Sequence, residues 1–263
     1  MKTYLITGAN TGIGKVAAIE LAKRGNHVIL ACRSRDKTQP VLDAIGDKAE
    51  FVELDLGDLA SVRRCAEALK GRKIDVLINN AGLAGHRGTT KDGFEIQFGT
   101  NHLGHYLFTR LLIDQVGERV VNVASGSHYG AKGIDWAAVR ATTRSRTGYP
   151  EYEVSKLANV LFTQELAQRV PRITTYAVHP GSVATDVWRR VPGPIRWLLK
   201  KFLRTPEQGA ISTLKTATDP VLAKETGHYY NQDGEERRPS RHATPELARE
   251  LWERSAEWTG LSS

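Results

Sequence analysis

The chain has 263 residues, 40% of them apolar and 25% charged, enough for one or two domains with a full core, since folding at this size buries roughly three quarters of the extended chain's surface. That composition excludes a disordered, collagen-like or disulfide-rich chain, and two isolated cysteines, Cys32 and Cys65, point to a reducing compartment, the cytoplasm. The net charge is +8, but six Arg and Lys residues fall between Asp186 and Arg204, interleaved with Trp188, Ile195, Trp197, Leu198 and Phe202, so the excess is an amphipathic stripe and no nucleic-acid partner is expected.

Thr3–Thr7 is a short apolar run followed by a glycine loop. Ile13, Ala17 and Leu21 then recur at helical spacing until Gly25-Asn26 breaks the helix, and His27–Ala31 is apolar again. The pattern is strand, helix, strand. Glu50–Leu54 reads as the next strand, Asp58–Lys70 as a helix opened by an Asp cap, Asp75–Asn79 as a strand, Asp92–Val116 as a long helical region and Arg119–Ala124 as a fifth strand. Gly130–Pro150, rich in Arg, Thr and Gly, reads as an insertion near a ligand cleft, before a helix at Glu151–Arg169 and a strand at Ile173–His179. Beyond the basic stripe come a helix at Pro206–Thr218, a strand near His228–Tyr230, and a last helix that Thr244-Pro245 opens and Gly260 ends. Such alternation predicts an α/β fold, a single doubly wound domain over residues 1–263 with a central, mostly parallel seven-stranded sheet between two helical layers.

The loop after the first strand is Gly8-Ala9-Asn10-Thr11-Gly12-Ile13-Gly14. Glycines there permit positive φ and let backbone N–H groups and the helix N-terminus approach a pyrophosphate. Three glycines also suit a plain tight turn, and the spacing Gly-x-x-x-Gly-x-Gly departs from the common dinucleotide fingerprint. With Thr7 in front, the loop resembles that of the short-chain dehydrogenase/reductase superfamily. Further motifs in the family's order carry the resemblance: Asn79-Asn80-Ala81-Gly82 after the fourth strand, Asn101, Ser125 after the fifth strand, Tyr152-x-x-x-Lys156, and Pro180-Gly181-Ser182-Val183-Ala184-Thr185. Asn101-His102-Leu103-Gly104-His105, the run Val154–Leu166 and Val178-His179-Pro180-Gly181 resemble the retinol dehydrogenase and WW-domain oxidoreductase branch. The resemblance implies a Rossmann-type fold, and since Met1 directly precedes the first strand, no N-terminal membrane anchor is expected.

Tyr152 and Lys156 lie one helical turn apart and face the same way. A free tyrosine has a pKa of ~10, and moving it about 3 units toward neutrality takes roughly 4 kcal/mol of differential stabilisation of the phenolate. A nearby ammonium in a partly dry cleft can supply much of that, which suits Tyr152 to proton exchange with a carbonyl or alcohol oxygen. The resemblance adds that Lys156 also binds the nicotinamide ribose, Ser125 hydrogen-bonds the reacting oxygen, and Asn101 holds a water reaching Lys156. Two neighbours compete. Tyr149 is followed four residues on by Glu153 and so lacks a cationic partner, and Ser127 is out of register with the family motif, which matches Ser125.

Cofactor choice turns on Ala31-Cys32-Arg33-Ser34-Arg35, where no carboxylate occurs until Asp36. Arg33 can pair with a 2′-phosphate and Ser34 can add a donor, favouring NADP(H) over NAD(H). By resemblance the dinucleotide also contacts Gly8, Asn10, Thr11, Gly12, Ile13 and Gly14, then Asp55 and Leu56 near the adenine. Farther along, Asn80, Ala81, Gly82, Pro180, Gly181, Val183 and Thr185 are assigned to it. His128 and His179 read as packing or loop residues, and no His/Asp/Glu set shows ligand spacing, so no metal is expected. The reaction expected is hydride transfer between nicotinamide and a carbonyl/alcohol substrate of lipophilic type. A non-catalytic NADP(H) sensor on the same fold is the alternative. The segment at about 186–205 is expected to form a substrate lid, with 187–204 open to a peripheral membrane contact. A homodimer is left open.

Overall fold

The computed structural model describes residues 1–182 and 204–263. Its strands are β1 (Thr3–Thr7), β2 (His27–Cys32), β3 (Ala49–Glu53), β4 (Ile74–Asn79), β5 (Val116–Val123), β6 (Thr174–Val178), β7 (His228–Tyr230) and β8 (Glu236–Arg237). They form one eight-stranded sheet in the order β3-β2-β1-β4-β5-β6-β7-β8. All neighbours are parallel except β7 and β8, which pair antiparallel through Tyr229↔Arg237 and Tyr230↔Glu236. The expected parallel sheet is present, with eight strands instead of seven. The added strand is two polar residues long and turns back through Gly234 at φ +72, too short to leave an apolar alternation in the sequence.

The helices are α1 (Gly12–Lys23), α2 (Arg35–Ile45), α3 (Leu59–Ala68), the single turn α4 (Ile96–Phe98), α5 (Gly104–Leu112), α6 (Tyr149–Arg169), α7 (Pro206–Thr218) and α8 (Pro245–Thr259). On one face α1, α2 and α7 cover Tyr4, Ile6, Val28, Leu30, Val76, Ile78, Val121 and Tyr176. On the other, α3, α5, α6 and α8 close over Leu5, Ile29, Leu77, Val120, Tyr106, Phe162 and Trp252. Successive strand residues therefore feed opposite cores, as the two-residue period of a doubly covered sheet requires.

Two stretches depart from the sequence expectation. Helix α2 occupies a segment in which no element was expected; its face is polar and Pro40 lies inside it, and it starts because the Ser34 hydroxyl oxygen accepts from Lys37 N–H. The region Asp92–Val116 is not one long helix. Gly93 sits at φ +82 in a turn, α4 begins only at Ile96, a π-helical turn spans Gly99–Leu103, and β5 already starts at Val116. Glycine is required at both ends of that π turn: a Cβ on Gly99 would lie 2.4 Å from Thr90 Cγ2, and one on Gly104 would lie 2.5 Å from the Leu56 carbonyl oxygen.

Strand order reverses between β1 and β4, and the loops after these strands open at the same edge of the sheet. In open α/β sheets this switch point is where a crevice forms for a ligand.

Candidate active site

The glycine loop fills the gap between the ends of β1 and β4. Gly8 takes φ +68, and a Cβ on it would lie 2.9 Å from Ala81 Cα; a Cβ on Gly14 would lie 2.4 Å from Asn80 Nδ2. Gly12 opens α1 at φ +57, Ile13 follows in its first turn, and that turn carries no acidic residue to offset the positive end of the helix dipole. Asn10 and Thr11 lie in the turn leading into it. Asn80 holds the loop from the other side, its amide donating to Thr7 O at 2.9 Å and Gly8 O at 3.4 Å.

Beneath the loop lies a polar chain that motif spacing does not announce. The His105 Nδ1–H donates to Asn101 O at 2.9 Å, so Nε2 is bare and accepts from the Thr7 hydroxyl at 2.8 Å. Thr7 Oγ1 in turn accepts from Asn80 N–H at 2.9 Å and Ala81 N–H at 3.0 Å. Burial pulls the His105 imidazole down to about 4, with Lys156 adding to the effect, so the ring stays neutral in this tautomer. The only sequence signal for it is a histidine one helical turn after Asn101.

The second half of the site gathers at the ends of β4 and β5. Asn101, in the π turn, accepts from Leu83 N–H at 2.7 Å and donates to Leu83 O and Ser155 Oγ, each at 2.9 Å. Lys156 is buried on α6, its Nζ donating to Val123 O at 2.8 Å and lying 5.6 Å from the Tyr152 ring centroid. A Cβ on Gly82 would stand 3.5 Å from both Lys156 Nζ and Asn101 Oδ1, so glycine leaves a cradle open over the lysine. Ser125 follows β5, its Oγ accepting from Ser127 N–H at 3.1 Å. The buried His128 fixes its backbone: Nδ1–H donates to Ser125 O at 2.7 Å while Nε2 accepts from Ser240 N–H at 3.1 Å. His128 and His179 thus pack against the site, His179 Nδ1 accepting from Gly181 N–H at 3.2 Å.

Burial pushes the Tyr152 phenol up to about 12, partly offset by Ser125, and burial pulls the Lys156 ammonium down to about 8. Ser125 works to lower the phenol, and burial outweighs it. The Lys156 ammonium is turned toward the Val123 carbonyl.

At the far end of the crevice Arg33 is exposed just after β2, while Ser34 is the N-cap of α2 and Arg35 lies 5.6 Å over the Phe51 ring. Asp55 Oδ1 accepts from Gly57 N–H at 3.0 Å, and Leu56 is buried against Gly104. Pro180 is buried, and Gly181 at φ +86 packs against Arg204. Val183, Thr185 and the expected lid fall in 183–203, outside the described residues. One ligand-spaced set that sequence spacing did not reveal does occur: Glu225, His228 and Glu236 bring ligand atoms within 4.8 Å of one another. These groups have partners of their own, Tyr230 donating to Glu225 at 2.5 Å and His228 pairing with Glu236 at 2.8 Å.

These residues fit a dinucleotide: an uncompensated helix N-terminus, glycines too tightly packed to be replaced, and an open cradle beside Lys156. Residues 2–193 match the short chain dehydrogenase family. Human retinol dehydrogenase 13 is 39% identical over 289 residues, covering 100% of this chain and 86% of that protein. A crystal structure of a protein from Mycobacterium paratuberculosis superposes with a TM-score of 0.83 at 35% identity, covering 100% of this chain and 94% of that one. The 3-ketoacyl-(acyl-carrier-protein) reductase of Brucella melitensis, solved with NADH, gives 0.69 at 27% identity over 89% of this chain and 97% of that one. The chain belongs to the short-chain dehydrogenase family, in its retinol dehydrogenase branch, and is an oxidoreductase of alcohol and carbonyl groups.

Proposed function

We propose that the protein is an NADP(H)-dependent reductase or dehydrogenase of a lipophilic carbonyl/alcohol pair, with Tyr152 exchanging the proton. The observation that carries this reading is the convergence of Tyr152, Ser125, Lys156 and Asn101 beside the glycine loop. When bound, nicotinamide supplies or accepts the hydride and, oxidised, brings a positive charge that favours the phenolate. In reduction Tyr152 gives its proton to the carbonyl oxygen while Ser125 donates a hydrogen bond to it; in oxidation the phenolate removes the alcohol proton. Lys156 holds the ribose and Asn101 ties the loop at Leu83 to α6 at Ser155.

The preference for NADP(H) is supported by the exposed Arg33 guanidinium beside the N-terminus of α2, where a 2′-phosphate meets both a fork of donors and the positive end of a helix. The lipophilic substrate is supported by the similarity to retinol dehydrogenases and by the apolar residues of segment 186–205, proposed as a lid; its basic residues suit an anionic surface. We place the protein in the cytoplasm as one dinucleotide-binding domain spanning 1–263. The sensor alternative is disfavoured because the Tyr152/Lys156 pair is intact. A panel of retinal, steroid ketones and small polar aldehydes, each followed by loss of NADPH absorbance with and without anionic vesicles, tests the proposal. Retinal or a steroid ketone is expected to turn over fastest; preference for the small polar aldehydes would reject the lipophilic substrate.

A further inference from the structure

Tyr149, Tyr152 and Lys156 follow one another along one face of α6, three and four residues apart, and exposure rises toward the start of the helix. Lys156 is buried, Tyr152 is partly buried, and Tyr149 is 48% exposed. An aromatic ring that open to water is ordinarily free to turn, but this one is held at both ends. Gly148, at φ +68 where a Cβ would lie 2.7 Å from His86 O, fixes the start of the helix, and Tyr149 N–H donates to Thr147 Oγ1 at 3.2 Å. The far end is tied to the turn after β5: the Tyr149 hydroxyl lies 3.0 Å from Ser127 Oγ, and Ser127 N–H donates to Ser125 Oγ at 3.1 Å. The Tyr149 and Tyr152 ring centroids stand 6.1 Å apart with planes tilted by 37°. With Lys156 at the dinucleotide end of this row and Tyr152 at the reacting oxygen, the body of a substrate runs outward past Tyr149, about 5 Å away, one helical turn.

We propose that Tyr149 is a specificity-determining residue whose ring forms the wall for a flat, conjugated group beside the reacting carbonyl, an aryl ring or a polyene. The inference deepens the lipophilic reading above and rests on Tyr152 as proton donor. A flat π-face stacks on the phenol with an offset, whereas a saturated ring of the same size gains only the burial of its surface. The tie to Ser127 keeps the wall in place before the substrate arrives, which lowers the ordering cost of binding.

The test uses the full chain, NADPH, and benzaldehyde against cyclohexanecarbaldehyde, two rings of similar size with no polar group but the carbonyl. The parent should show the higher kcat/KM for benzaldehyde, although conjugation makes that carbonyl the less reactive toward hydride. Tyr149→Leu keeps the apolar bulk without the π-face; it should lower the benzaldehyde-to-cyclohexanecarbaldehyde ratio about fivefold, read in KM for benzaldehyde and not in kcat, while Tyr149→Phe keeps most of the preference. Ser127→Ala, Tyr149→Phe and the double variant should share one small loss, because each removes the same hydrogen bond. A parent that reduces neither aldehyde or favours the saturated ring, an unchanged ratio in Tyr149→Leu, or an equal loss for both aldehydes would overturn the wall. Turnover surviving Tyr152→Phe removes both readings, whereas an inactive Tyr152→Phe beside an unchanged ratio in Tyr149→Leu removes the wall alone.

Discussion

Tyr152 and Lys156 share one side of α6, yet their environments act on them in opposite directions, raising the phenol and lowering the ammonium. Loss of the proton donor should therefore be nearly complete and local. Tyr152→Phe is expected to lower kcat by about 10²-fold or more with dinucleotide affinity retained, and Lys156→Ala to lower both, as read by steady-state kinetics and NADPH fluorescence titration; small equal losses would contradict the roles. At the adenine end, Arg33→Asp should shift the ratio of kcat/KM for NADP over NAD toward NAD by about tenfold or more, the scale of one charge-assisted bond. An unchanged ratio would mean that the phosphate is read elsewhere. These residues were legible in the sequence because the chemistry needs them at fixed spacing on one helix or one turn. Thr7 and His105 were not: they are 98 positions apart, and only the adjacency of the β1 end to α5 brings them to 2.8 Å.

Among the elements, those with caps and a two-sided apolar pattern were legible. Helix α7 has a full capping box between Thr205 and Gln208, and α8 starts on the Thr244 hydroxyl and ends at Gly260 in the left-handed region. Helix α2 was not, because its buried contribution is limited to Thr38 and Val41. The insertion expected at Gly130–Pro150 yields its last two residues to α6 and is otherwise docked, not loose. Glu151 accepts from Arg144 N–H, Ser145 N–H and the Ser145 hydroxyl, and buried Glu95 accepts from the Thr143 hydroxyl at 2.6 Å. Glu151→Ala removes the first of these anchors. Trypsin should then cut after Arg144 and Arg146 several times faster than in the parent, with the circular dichroism of the fold unchanged; equal cleavage would show that Glu95 alone suffices.

Across the whole molecule, buried histidines set an acid limit. His102 and His105 lie in the core with pKa values pulled down to about 3 and about 4 by burial. The folded protein keeps both neutral while the unfolded chain takes up protons below its ordinary value of about 6.5. Their stabilisation is thus full above that pH and is lost as pH falls toward 4, at about 1.4 kcal/mol per unit for each. Glu95 and Glu153, whose carboxyls are raised by burial, work in the opposite sense, while burial of His128 and His179 adds to the loss. Melting temperature should fall steeply between pH 6.5 and 4, and a flat profile there would contradict neutral burial of the pair.

The short antiparallel strand β8 has a further effect. An open sheet grows wherever a bare strand edge invites another chain, and β7, with Tyr229 and Tyr230 in it, would be such an edge. Glu236 and Arg237 occupy it with two exposed charged residues. A second copy arriving at this side meets a charged two-residue stub too brief to template further pairing. Pairing through this side of the sheet is thereby discouraged, which leaves β3 as the sheet's other edge.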